Sequence, residues 1–138
     1  MNRIELRLQP GFMPGHPVVQ VLIDGSDLVA LARQVELPHA TAEGKPQIAG
    51  AYQGLDPRDW ADLPRWDDGR RALYRCECGE VDCWPLIVRI TRRDDGTVSW
   101  SEFRQPHRRA WSHDALGPFI FDAAEYDRAV EGVMNQAG

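Results

Sequence analysis

Two apolar segments flanking Asp94-Asp95-Gly96 constrain this chain more than any other feature. Leu86, Val88 and Ile90 alternate along the first segment, and Val98 and Trp100 point the same way along the second. Between them, Asp-Asp-Gly is a strong turn signal, so residues near 86–104 are expected to form an antiparallel hairpin. A three-residue turn pairs Arg93 with Thr97. That places Ile90 opposite Trp100 and Ile87 opposite Phe103, with apolar residues on a shared face. A slip of one residue would set Ile90 against Ser101.

The remaining elements follow from periodicity and punctuation. Ile4, Leu6 and Leu8 alternate with charged residues, the pattern of a strand with one wet face. Pro10, Gly11, Pro14, Gly15 and Pro17 then force a loop. Val18–Ile23 reads as a more buried strand, ended by Asp24-Gly25. Leu28, Leu31, Ala32 and Val35 recur at helical spacing, which predicts a helix near 26–37 capped by Ser26 and closed by Pro38. Residues 39–71 show no period. They are expected either to hide short elements or to form a flap, with Asp56-Pro57 starting one short helix and Trp60 and Trp66 anchoring the excursion. A C-terminal helix near 122–135 is the clearest of all. Asp122 caps it, Glu125 completes a capping box, Phe121 staples onto Tyr126, and Tyr126, Val130, Val133 and Met134 form its buried stripe. Strands interspersed with helices around a tight hairpin indicate an α+β fold in one domain spanning 1–138.

Length and charge narrow the function classes. A chain of 138 residues with 43% hydrophobic residues and five tryptophans can bury a substantial core. Its first residues alternate charged and apolar side chains, unlike a secretory signal, and no apolar run would span a bilayer. The expected compartment is the cytoplasm, where the three cysteines stay reduced or bind metal. Net charge is −5, yet six arginines (Arg89, Arg92, Arg93, Arg104, Arg108, Arg109) face only Asp94, Asp95 and Glu102 between Trp84 and His113. That local balance of +3, with Trp100 and Trp111 nearby, offers a nucleic-acid reading. The competing reading, a solvated hairpin whose arginines pair with surface acids and guard the strand edges, is favoured by the overall negative charge.

The most specific chemistry lies in Cys76-Glu77-Cys78-Gly79-Glu80-Val81-Asp82-Cys83. Three thiolates converging through a glycine turn suit zinc, which takes four ligands in structural sites. Continuing the hairpin pairing beyond Arg104 brings His107 opposite Cys83 and nominates His107 as the fourth ligand. His113 is the second choice, and His16 and His39 are more distant ones. The competing readings are buried thiols that behave as small hydrophobes and a Cys83–His107 nucleophile pair. Arg75 would lower a neighbouring thiol pKa, while Glu77, Glu80 and Asp82 oppose it. His113-Asp114 is not an acid–base pair, because neighbours on an extended chain point apart. The P-loop, G-x-G-x-x-G, G-x-S-x-G and H-E-x-x-H signatures are all missing.

The spacing C-x-C-G-x-x-x-C resembles the zinc-binding tail that follows SET-type methyltransferase domains, over these eight residues alone. Cys83-Trp84-Pro85-Leu86, Glu102 to Arg108 (EFRQPHR) and Leu116 to Asp122 (LGPFIFD) together resemble small bacterial proteins of unknown function. Those proteins share a C-x-CG-x-x-x-CWPL loop, a QPHR segment and a terminal F-D-x-A-x-Y helix. The resemblance covers the last half of the chain and implies that the loop and the QPHR segment form one spatial unit. It transfers no catalytic residues. The sequence therefore favours a non-enzymatic binding or interaction module with a protein partner, stabilised by zinc at Cys76, Cys78, Cys83 and His107. The alternatives are a small enzyme using Cys83 and His107, and a nucleic-acid binder using the hairpin.

Overall fold

In the computed structural model, which describes residues 1–137, two antiparallel sheets share one core with two helices. The first sheet holds β1 (Ile4–Gln9), β2 (Val18–Ile23) and the two-residue β3 (Ser26–Asp27), in that order. The second is a curled half-barrel of β4 (Tyr52–Gly54), β5 (Arg71–Cys76), β6 (Leu86–Arg92), β7 (Thr97–Arg104) and β8 (Phe119–Asp122), each hydrogen-bonded to the next in sequence. The helices are α1 (Leu28–Ala42) and α2 (Ala123–Ala137). The fold is α+β, as the dispersed strands predicted. No helix among the described residues is long and apolar enough to cross a membrane.

The β6–β7 hairpin forms around the expected turn. The Arg93 amide donates to the Thr97 carbonyl at 2.9 Å, and Ile90 faces Trp100. Farther from the turn the expected register is overturned: Ile87 pairs with Arg104 and not with Phe103. The cause is a β-bulge in which Glu102 takes a left-handed conformation (φ 55°). Strict alternation would put Trp100 and Phe103, three residues apart, on opposite faces of β7. The inserted residue lets both reach the core, at 0% and 5% exposure. Buried Arg70 secures the bulge by donating from Nε to the Glu102 carbonyl at 2.8 Å while its guanidinium pairs with Asp68.

Helix α1 departs from its predicted bounds at both ends. Ser26 is absorbed into β3, and Asp27 caps instead, its carboxylate accepting from the Val29 amide at 3.0 Å. Pro38 does not end the helix but lies inside it. Proline removes the hydrogen bond to the carbonyl four residues back. Here that carbonyl belongs to Gln34, and both Gln34 and Pro38 are exposed, so water can take the missing donor's place. The last turn is held because Ala40 is buried with Ala49 and Trp111 in a small satellite core.

The unreadable stretch 39–71 is resolved into short elements. It holds the end of α1, 3-10 turns at Pro46–Ile48 and Pro57–Ala61, and β4. Asp56 caps the second turn, accepting from the Arg58 amide at 2.9 Å, and Trp60 is buried against Trp100. Trp66 is only half-buried and meets the edge of His107. β4 also joins the two sheets. The Val19 amide donates to the Leu55 carbonyl at 2.9 Å, and the Val21 amide to the Tyr74 hydroxyl at 2.8 Å.

Asp122 caps α2 through the Glu125 amide at 3.0 Å. The Glu125 carboxylate does not close the capping box, because it pairs with Arg3, the residue before β1, at 2.8 Å. Phe121 and Tyr126 pack at 5.9 Å, as the staple requires, and Trp100 meets both rings edge-on.

Candidate metal centre

The cysteine loop begins where β5 ends. Cys76 is the last residue of β5, paired with Tyr52 of β4, and the chain re-enters the half-barrel at Leu86. Between them the backbone reverses twice. The Gly79 amide donates to the Cys76 carbonyl at 2.9 Å, and the Cys76 and Cys83 amides both reach the Glu80 carbonyl at 3.3 Å. Gly79 sits at φ 96°, a conformation that side chains rarely adopt, so the glycine is required by the turn itself. The result is that the sulfurs of Cys76, Cys78 and Cys83 lie within 4.8 Å of one another. All three are free thiols, Cys76 half-buried and the other two exposed.

The surroundings shift the ionisation of Cys78 and Cys83 in opposite directions. The Glu80 amide, and then the Cys76 thiol, donate toward Cys78 and hold its pKa below the ordinary thiol value. Cys83 is pushed the other way, up to about 12, by the neighbouring Cys76 and Cys78 sulfurs. Ionisation is thus eased at Cys78 and resisted at Cys83. A thiophilic cation removes that resistance by neutralising the shared charge, with release of the protons. Arg75 is not that cation: its guanidinium donates to the carbonyls of Gly54 (3.1 Å) and Gly79 (3.4 Å), which fastens the loop to β4.

His107 lies beside this loop. Its Nε2 is 2.7 Å from the carbonyl oxygen of Asp82, the residue before Cys83. The ring stacks on Trp84 at 6.3 Å and 20°. The bulge explains the offset, since advancing the pairing by one residue sets His107 abreast of Trp84 instead of Cys83. The mutually close donor atoms are the three sulfurs, without His107 among them. Gln105, fully buried, ties the two segments together. It donates to the Pro85 carbonyl at 3.0 Å and accepts from the His107 amide at 3.0 Å.

The other histidines lie elsewhere. His113 is buried, with Nε2 2.8 Å from Glu36. It pairs with that residue and not with its neighbour Asp114. His39 stacks on Trp111 and accepts from the Ser112 amide at 3.3 Å. His16 lines a cleft of about 300 Å³ together with Met13, Gln53, Arg75, Cys78 and Glu80.

The arginine–aromatic face is not the stacking platform that its composition offered. Trp100 and Trp111 are buried at 0% and 5% exposure. Arg89 pairs with Glu102, Arg92 with Asp127, Arg104 with Asp68 and Arg108 with Glu43. Arg108 also lies over the Trp84 ring, 5.2 Å from its centroid.

One polar cluster is absent from the sequence reading. Glu36, on the inner face of α1 and 0% exposed, accepts from the Gly50 amide (2.9 Å) and the Tyr52 hydroxyl (2.6 Å), beside His113. Gln105 in turn donates to the Tyr52 hydroxyl at 3.3 Å. Burial, and then the Glu36 charge, raise the Tyr52 hydroxyl well above its ordinary pKa, so it remains a donor. The available signal was spacing. Glu36 falls on the row Leu28, Ala32, Glu36, Ala40, at four-residue intervals on the buried face. Compared with protein families, with curated proteins and with solved structures, the chain matches none.

Proposed function

We propose that this chain is a metal-stabilised interaction module in which Cys76, Cys78 and Cys83 hold a zinc ion and a protein partner is met by the face around the cysteine loop and the QPHR segment. The observation that carries the metal reading is the convergence of three free thiols within 4.8 Å on a loop with a required glycine turn. Thiolates are the preferred ligands of structural zinc, and three of the four it takes are in place. His107, expected from the strand pairing as the fourth, would have to exchange its contact with the Asp82 carbonyl for the metal.

A non-catalytic role has more support than the small-enzyme alternative. A nucleophilic cysteine needs a depressed pKa, and that of Cys83 is raised to about 12. A general base needs a free ring nitrogen aimed at the nucleophile, and His107 Nε2 is turned to a backbone carbonyl. The nucleic-acid alternative is weakened by the burial of both tryptophans it would use and by the ion pairs of four of its arginines.

Elemental analysis of protein purified without chelator or polyhistidine tag tests the reading. One zinc per chain is expected, lost on substituting the three cysteines by serine. At a free zinc concentration a hundredfold above its dissociation constant, binding stabilises the folded state by about 2.7 kcal/mol. For a domain of this size that corresponds to a rise in Tm of roughly 10 °C, reversed by chelator. Metal content near zero, with no thermal shift on adding zinc, would overturn the proposal.

A further inference from the structure

We propose that His16 is the fourth ligand of the metal centre, so that metal binding pins the loop between β1 and β2 across the cleft beside Cys78; this rests on the zinc reading above. The sulfurs supply three corners of a tetrahedron, and the mutually close donors end with them. A Cys₃His set is a recurring structural zinc site, whereas a carboxylate corner is not. The missing corner therefore calls for an imidazole that can travel.

The chain has four histidines, and three already have a ring nitrogen engaged. His39 accepts from the Ser112 amide, His107 meets the Asp82 carbonyl, and His113 meets Glu36 in the buried interior. Bringing any of these to the sulfurs breaks an existing contact. His16 is exposed, and among the described residues its ring takes no hydrogen bond. It also faces the right space, since it lines the same cleft as Cys78, Gly79 and Glu80.

The loop that carries His16 is fixed near that cleft and free at its tip. The Phe12 amide donates to the Gln53 side-chain oxygen Oε1 at 3.0 Å, and Gln53 pairs with Arg75, the residue before Cys76. The turn closes through the His16 amide and the Met13 carbonyl at 3.1 Å. Next to His16, Gly15 adopts φ 80° with nothing within 4 Å of where a side chain would begin, so the tip of the turn is unpacked at that position. Met13, at 65% exposure, belongs to that tip, while Phe12 stays at the anchored end. Metal would thus act as a clasp between two loops that are 60 or more residues apart in sequence.

Cobalt(II) titration of the full reduced chain tests this, because thiolate-to-cobalt charge transfer reports the sulfurs and the intensity of the d–d bands reports tetrahedral closure. The variants are H16Q, H107Q and H16C. Even an outer-shell partner of a metal ligand is worth about 10–100-fold in affinity. H16Q should therefore weaken cobalt binding at least about tenfold and diminish the d–d bands while retaining charge transfer. H107Q should leave the d–d bands intact, and H16C should restore affinity with added charge transfer from a fourth sulfur. Wild-type affinity and bands in H16Q, or the same losses in H107Q instead, would overturn the assignment of His16 alone. Absence of charge transfer in the wild-type chain would remove the metal centre and this ligand with it.

Discussion

Replacing Glu36 by alanine should destabilise the domain severely although the residue is a charged side chain on a helix. Glu36 receives the Gly50 amide and the Tyr52 hydroxyl, at 2.9 and 2.6 Å, and its Oε2 lies 2.8 Å from His113 Nε2. The substitution removes the partner of the Tyr52 hydroxyl and of the His113 ring in the buried interior, and of the Gly50 amide at its partly buried margin. Each orphaned buried donor costs about 1–3 kcal/mol. Lost packing adds to the cost, and relief from burying the carboxylate subtracts from it. A net loss of about 3–5 kcal/mol is expected, a large part of the 5–15 kcal/mol typical of a folded domain. Urea unfolding measures it, as a lower midpoint at an unchanged slope. Combining the variant with Tyr52→Phe should give a coupling energy of about 0.5–3 kcal/mol, because the two residues share a hydrogen bond. A cost below about 1 kcal/mol for E36A, or strict additivity with Y52F, would refute the view that this network fastens α1 to β4 and to the segment after β7.

Two further outcomes follow from local geometry. Gly54→Ala would place a methyl group 2.3 Å from the Val19 carbonyl oxygen. Since backbone from the other sheet cannot yield cheaply, it should cost at least about 2 kcal/mol in chemical denaturation. The second concerns acid. The Trp111 indole N–H, then Arg108, hold the Glu43 carboxyl below its ordinary value of 4.5. A depressed carboxylate pKa means that the contribution is complete above 4.5 and is lost as pH falls through the lower folded value. The indole N–H resonance of Trp111 should therefore move only below that pH, and in Glu43→Gln it should be insensitive to acid over the same range.

The sequence by itself determined the elements whose causes are local. Alternation at Ile4–Leu8 and around Asp94-Asp95-Gly96, the Asp122 cap and the four-residue spacing along α2 each act within a few residues. The structure repeats them. Convergence of the three thiols was also legible, because it depends on a glycine turn inside an eight-residue loop. The tertiary structure alone decided what depends on distant surfaces. The bulge at Glu102 exists because Trp100 and Phe103 must both reach one core, and buried Arg70 holds it open. It moved His107 from Cys83 to Trp84. The continuation of α1 through Pro38 depends on burying Ala40 against Trp111, a residue 71 positions away. Spacing places Glu36 on the buried face of α1, but its partners Gly50, Tyr52 and His113 are supplied only by the tertiary structure. Local patterns fix dihedral angles, whereas burial of a charge or a register shift is set by whichever partners the completed core brings near.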